Sequence, residues 1–117
     1  MLTNKFTGNR GEKTAALYLK KKGYTILDTN FRSRRGELDI VCLKGDTLVF
    51  VEVKSRNNLS FGLPREAVTK KKQQSLIYTA NYYCFIKGMV TYNVRFDVIE
   101  VVDGKVSEHI ENAFACN

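Results

Sequence analysis

The stretch GELDIVCLKGDTLVFVEVK, residues 36–54, decides the fold. Read by period it is two half-buried strands: Leu38, Ile40 and Cys42 alternate on one side of the first, and Leu48 and Phe50, then Val49, Val51 and Val53, supply the apolar positions of the second. Between them lies Lys44-Gly45-Asp46-Thr47, which predicts Gly45-Asp46 as a two-residue hairpin loop because glycine reaches positive φ at little steric cost. With that loop, Asp39 is expected opposite Glu52 and Glu37 opposite Lys54, all four on one face. A slip of one residue would set Asp39 against Val51 and turn one strand's apolar set to the wrong side. Carboxylates facing each other with Cβ atoms roughly 5 Å apart destabilise a hairpin unless positive charge lies between them. A bound cation is therefore expected. The competing reading is a cross-strand ion pair of Glu37 with Lys54, a kind of contact that contributes about 0–1 kcal/mol. It leaves Asp39 facing Glu52 without a reason.

Upstream, residues 9–22 predict a helix: Asn9 followed by Glu12 resembles a capping box, Ala15, Ala16, Leu17 and Leu19 are helix formers, and Gly23 suits the stop. Glu12, Ala16, Leu19 and Gly23 share one face, so Glu12 either caps the helix or presents a carboxylate on its small-residue side. Lys20, Lys21 and Lys22 complement the dipole at the other end. Residues 24–31 read as a strand. Arg32, Arg34 and Arg35 follow immediately, and the planar guanidinium fork grips phosphate at two points.

Downstream, residues 55–63 are polar and predict a loop at the mouth of the acidic site. Pro64 at a first helical position, with Glu66 in the first turn, predicts a second helix running to about Phe85, with Val68, Leu76, Ala80 and Tyr83 buried and Gly88 closing it. Residues 91–102 read as a strand with Val94, Phe96, Val98 and Glu100 on one face and Arg95, Asp97, Ile99 and Val101 on the other. Asp103-Gly104 is a turn, and residues 106–114 a short strand or tail. The order helix, three strands, helix, strand predicts a single α/β domain over residues 1–117, with its core at about 9–102 and a C-terminal segment at 103–117.

Composition narrows the function. The 117 residues suit one domain, and 44% hydrophobic content supports a packed core rather than disorder. Apolar runs are strand-length and interrupted by charge, and the N-terminus lacks a signal peptide's apolar core, so no membrane partner and a cytoplasmic location are expected. Three widely spaced cysteines, Cys42, Cys84 and Cys116, and one histidine, His109, suggest neither a disulfide framework nor a zinc site. Nineteen Lys and Arg against 12 Asp and Glu give a net charge of +7, which favours a polyanionic partner.

Glu52 and Lys54, two apart on a strand, point the same way, and Asp39 reaches them from the neighbouring strand. Two carboxylates suit Mg²⁺, which keeps several waters and takes phosphate oxygens, with Mn²⁺ able to substitute. Such an ion attracts a phosphodiester and lowers the pKa of a water, and Lys54 adds positive charge beside it.

Asp39, then 12 residues, then Glu52-Val53-Lys54 resembles the PD-(D/E)xK nuclease signature, although Leu38 stands where the signature's proline would be. The blocks GELDIV, VFVEVKSR, FGLPREAV, Lys72-Gln73 and VRFDVI together resemble the YraN-like family of bacterial predicted endonucleases. This resemblance covers nearly the whole chain. It implies a restriction-endonuclease-like fold with a mixed central sheet, close to the Holliday-junction resolvases. Asp39 and Glu52 would be metal ligands with the Val53 backbone carbonyl, Lys54 the catalytic lysine, and Glu12 the first-helix glutamate that completes the site. Lys72 matches a family position and would contact phosphate, as would Arg32, Arg34 and Arg35. Arg95 and Asp97 match as well and are expected to form a support pair. Resolvase-like folds often pair so that two sites address two strands, which makes a homodimer an expectation.

The leading expectation is a Mg²⁺-dependent endonuclease acting on DNA, branched or structured DNA included, without an organic cofactor. The alternatives are a non-catalytic nucleic-acid-binding module on the same fold and a protein-interaction domain whose acidic hairpin docks a basic partner.

Overall fold

Helix α1, Arg10–Lys21, opens the chain in the computed structural model, which describes residues 10–57 and 68–115. Its acidic first turn holds Glu12 and its basic last turn Lys20 and Lys21, as the dipole favours. Gly23, at φ 94°, ends it. Strands β1 (Thr25–Ser33), β2 (Gly36–Lys44) and β3 (Thr47–Arg56) form an antiparallel meander. Helix α2 (Lys70–Lys87) crosses over to β4 (Asn93–Val102), which lies parallel to β3, and β5 (Lys105–Phe114) pairs antiparallel with β4. The strand order β1-β2-β3-β4-β5 makes a mixed five-stranded sheet, so the α/β architecture expected from the element order is the one observed.

The hairpin register is also the expected one. Lys44 pairs with Thr47, Val41 with Phe50 and Ile40 with Val51. Gly45 alone of the two loop residues has positive φ, at 61°, as a II′ turn requires. At the other end of the sheet Asp103 and Gly104 both have positive φ, the signature of a I′ turn. They lead into β5, a full ten-residue edge strand.

Each face of the sheet carries one helix. On the α1 face, Ala15, Ala16 and Leu19 pack with Ile40, Cys42, Val49, Val51, Ile99 and Val101. On the α2 face, Leu76, Ala80 and Tyr83 pack with Leu38, Val41, Leu48, Phe50, Phe96 and Val98. Phe50 stacks on Phe96 with centroids 5.5 Å apart and meets Tyr83 edge-on. Gly36 lets α2 approach closely, since a Cβ there would stand 3.3 Å from the Thr79 hydroxyl.

Three expectations need correction. Helix α2 begins at Lys70, capped by Thr69, whose hydroxyl accepts from the Lys72 N–H at 3.1 Å. Val68 and Thr69 are not helical, so the helix is not continuous from Pro64. Pro64, Glu66, the cap residue Asn9, most of the 55–63 loop and Cys116 lie outside the described residues. Second, Leu38 does not share a face with Ile40 and Cys42: it belongs to the α2 cluster and they to the α1 cluster. Strict alternation therefore breaks across Asp39. Third, the β2–β3 ladder ends at Ile40 and Val51, so Asp39 and Glu52, and Glu37 and Lys54, are not ladder partners. Beyond that point the Asp39 side chain takes the place of a backbone acceptor.

The remaining sequence landmarks are structural. Cys42 and Cys84 are buried thiols, and burial pushes the Cys42 thiol up to about 12, far from reactivity. Arg95 and Asp97 form a two-point pair, with both nitrogen-oxygen distances 2.9 Å, as expected of a support pair. His109 lies 2.7 Å from the same carboxylate, the Asn112 N–H donates to it at 3.0 Å, and Arg95 also donates to the Tyr24 hydroxyl at 2.8 Å. Among the described residues no helix is long and apolar enough to cross a membrane.

Candidate metal and phosphodiester site

Where the β2–β3 ladder stops, the strands part and their side chains fill the gap. The Val53 N–H donates to Asp39 Oδ2 at 2.8 Å. In an extended strand the N–H and C=O of one residue leave on the same edge, so the Val53 carbonyl faces the Asp39 side as well. Glu52, one residue earlier, points to the α2 face and is buried. Its Oε2 lies 3.5 Å from Lys54 Nζ and 3.6 Å from Lys72 Nζ, and its buried Oε1 receives no hydrogen bond.

Glu12 comes in from α1. It is buried, and its Oε1 accepts from Asn30 Nδ2 at 2.7 Å. The same amide donates to Glu37 Oε2 at 3.0 Å. Asn30 sits in β1 at φ 54°, a left-handed conformation that asparagine tolerates better than most residues. That local turn of the strand directs its amide between two carboxylates. Glu12 therefore faces the sheet and its acidic cluster.

Crowding sets the protonation. Burial first, then the Glu52 carboxylate and Glu12, push the Asp39 carboxyl up to about 8, against the opposing pull of the Val53 N–H. Burial also raises Glu12, with Glu37 and Glu52 adding to it, while hydrogen bonds to Asn30 and Asp39 hold it back. At neutral pH and without a cation, Asp39 keeps its proton and shares it with Glu12. Carboxylates this close cannot all ionise unless a cation joins them.

The donor set is all oxygen: two carboxylates, a nearby backbone carbonyl and Glu12. That chemistry suits a hard divalent ion such as Mg²⁺ or Mn²⁺, and Glu52 Oε1 is a buried acceptor with no hydrogen-bond partner among the described residues. Among the described residues no three acidic, histidine or cysteine side chains form a ready-made cage. Mg²⁺ does not need one, since it is commonly held by one or two carboxylates with water and substrate phosphate completing the shell. The residues fit the ion.

The remaining expected residues separate. Lys54 turns toward Glu52, and Glu37 is engaged by Asn30 and by Arg32 Nε at 3.8 Å, so the competing reading, a Glu37–Lys54 ion pair, is not the one observed. The reason is the register: Arg32 is Glu37's partner across β1 and β2, where the β2–β3 ladder no longer reaches. Lys72 joins the acidic cluster from the first turn of α2. Arg34 is exposed, in a hollow lined also by Tyr78 and Tyr82, and the Arg35 guanidinium lies 4.8 Å from the Tyr78 ring centroid. Sequence reading missed Asn30. Its signal is an amide inside an otherwise strand-like stretch, two residues before the first arginine of the run.

Known proteins match over nearly the whole chain. The model of a family described as "Uncharacterised protein family UPF0102" matches residues 11–101. A UPF0102 protein of Clostridium acetobutylicum is 50% identical over 116 residues, covering 95% of each chain. One from Alkaliphilus metalliredigens is 46% identical over 113 residues, 95% of this chain and 99% of its own. A Geobacter sulfurreducens relative is 49% identical over 115 residues, 95% and 90% respectively.

Proposed function

The chain belongs to the UPF0102 family, and we propose that it is a metal-dependent endonuclease that hydrolyses phosphodiester bonds in DNA, branched or structured DNA included. The observation that carries this reading is the state of the Asp39–Glu52 pair. Burial and the neighbouring carboxylates push one carboxyl up to about 8, and the other keeps a buried oxygen without a hydrogen bond among the described residues, in a protein of net charge +7. A structural acid pair gains nothing from that arrangement, whereas a cation site needs it. The resemblance of Asp39, Glu52-Val53-Lys54 and the surrounding blocks to the YraN-like endonucleases supports the same reading.

Asp39, Glu52 and the Val53 carbonyl hold the ion. When bound there, a divalent cation would supply positive charge for the scissile phosphate and lower the pKa of a water. Lys54, kept beside Glu52, directs its ammonium toward the charge that builds on phosphorus oxygens. Glu12, braced by Asn30, accepts a proton from water. Lys72 and Arg32, Arg34 and Arg35 hold flanking phosphates and set the strand's position. We place the activity in the cytoplasm, with paired copies addressing two strands.

A second reading, a non-catalytic DNA-binding module, rests on the net charge of +7, which attracts a polyanion with or without turnover. One experiment separates the two. Purified protein is incubated with supercoiled plasmid and with four-way junctions in Mg²⁺, in Mn²⁺ and in chelator, beside Asp39→Asn and Lys54→Ala. Cation-dependent nicking that both substitutions remove supports the nuclease. Salt-sensitive binding without nicking supports the module, and nicking that survives both substitutions removes this site from consideration.

A further inference from the structure

Next to the acidic cluster lies a groove of a different chemistry. Tyr78 and Tyr82, four residues apart on α2, share one face of the helix. Opposite them stand Arg32, in β1, and Arg34, in the two-residue turn that joins β1 to β2. With Ser33 these residues enclose an open volume of about 440 Å³, in the range of pockets that take small organic groups. Phe31 braces Tyr82 at a centroid distance of 6.0 Å, yet Tyr82 is 43% exposed. The Arg35 guanidinium lies over the Tyr78 ring, 4.8 Å from its centroid, so the tyrosines already meet an arginine there.

The groove and the acidic cluster adjoin. Arg32 Nε reaches Glu37 Oε2 at 3.8 Å, and Glu37 shares the Asn30 amide with Glu12. A strand crossing one therefore passes the other.

We propose that this groove binds an unpaired nucleotide of the DNA substrate, with the base stacked on Tyr82 and Tyr78 and the adjoining phosphates held by Arg32 and Arg34. The choice of DNA as partner rests on the reading of the acidic cluster given above. Tyrosine stacking needs a free base face, and in an intact duplex each base is covered by its neighbours. The groove thus selects single-stranded tails, flaps and opened branch points over uninterrupted duplex. Stacking suits any of the four bases, so the preference is for structure and not for sequence. An anion-binding surface alone would need the arginines but not the exposed tyrosine.

The protein contains no tryptophan, so Tyr82→Trp installs a sole indole reporter in the groove. In chelator, which stops cutting, this variant is titrated with an oligothymidylate, a blunt duplex, the same duplex with a single-stranded tail, and inorganic polyphosphate. The expected result is indole quenching by the oligothymidylate and the tailed duplex, with no quenching by polyphosphate or the blunt duplex. In parallel, Tyr82→Leu, which keeps an apolar contact with Phe31, should weaken binding to the tailed duplex about 5- to 100-fold while changing blunt-duplex binding by less than about twofold. The exposed Arg34→Ala is a second variant that leaves the fold alone. It should lower the salt dependence of tailed-duplex binding by about one ion. Equal quenching by polyphosphate, quenching that follows protein concentration alone, or unchanged tail affinity in Tyr82→Leu overturns the proposal. The two readings fail separately. Tail-selective binding by a wild type that never nicks DNA in Mg²⁺ removes the nuclease and leaves the groove, whereas Asp39-dependent nicking with no tail preference does the reverse.

Discussion

The backbone N–H of Val53 donates to the Asp39 carboxyl at 2.8 Å, just past the last ladder pair of β2 and β3. This contact joins the strand that carries Glu52 and Lys54 to the one that carries Asp39. It orients one oxygen of Asp39 and leaves the other to face Glu12 and the cluster. The geometry can be tested at each of its members.

Asp39→Asn keeps an oxygen to accept from Val53 and removes the charge a cation requires. Nicking in Mg²⁺ should fall by at least about 100-fold, the scale of losing one preorganised charged group. In chelator at pH 8 the variant should melt at or above the wild-type temperature, because the neutral amide avoids the buried charge that Asp39 takes on near that pH. Calorimetry with and without Mg²⁺ checks both parts: the cation should raise the wild-type melting temperature and leave the variant's nearly unchanged.

The raised Asp39 pKa fixes the sign of a pH effect. Between the ordinary carboxylate value near 3.8 and about 8 the folded protein holds a proton that the unfolded chain has released. Stability without metal must then fall as pH rises through that window, and level off above it. A cation replaces the proton, so the gain in melting temperature from Mg²⁺ should be larger at pH 8 than at pH 6. Flat chelator melts from pH 5 to 8 would contradict the Asp39 assignment.

Lys54 and Lys72 both approach Glu52 Oε2 but from different elements, and they should separate kinetically. Lys54→Ala should lower the cleavage rate on saturating DNA by about 100-fold or more while leaving affinity near wild type. Lys72→Ala, on the rim of the site, should weaken binding and reduce the slope of log affinity against log salt by about 0.9. Single-turnover cleavage and salt-dependent anisotropy distinguish them.

Asp97 tests the scaffold apart from the site. It is buried and takes Arg95, His109 and the Asn112 N–H, and these partners outweigh its burial and hold its carboxyl below the usual range. Its stabilising effect is present above pH 4 and is lost as pH falls below that value. Asp97→Ala strands the Arg95 charge and should cost about 3–5 kcal/mol, a fall of roughly 10–20 °C in melting temperature. Asp97→Asn should cost less, since one acceptor survives.

Much of this arrangement is local in origin and so could be read from residue order. The hairpin register follows from turn chemistry at Gly45 and from period-two patterning, both set within a few residues. The acid-acid-lysine set, the Gly88 helix stop and the basic balance are equally short-range or compositional. The start of α2 was misread because Pro64 is a strong signal, while Thr69, the cap that does the work, is an ordinary one.

What only the tertiary structure decided depends on contacts between residues far apart in the chain. The ladder's end after Ile40 and Val51, and the break in alternation that moves Leu38 to the α2 face, follow from how β1, β2 and both helices pack together. Glu12 meets Asn30 across 18 residues, and Lys72 meets Glu52 only because α2 starts above β3. The sequence by itself determined which charges the site has, since chemistry is carried by residue type. The fold decided which of them face each other, since packing of distant segments sets distance and burial, and these set the charge each group can bear.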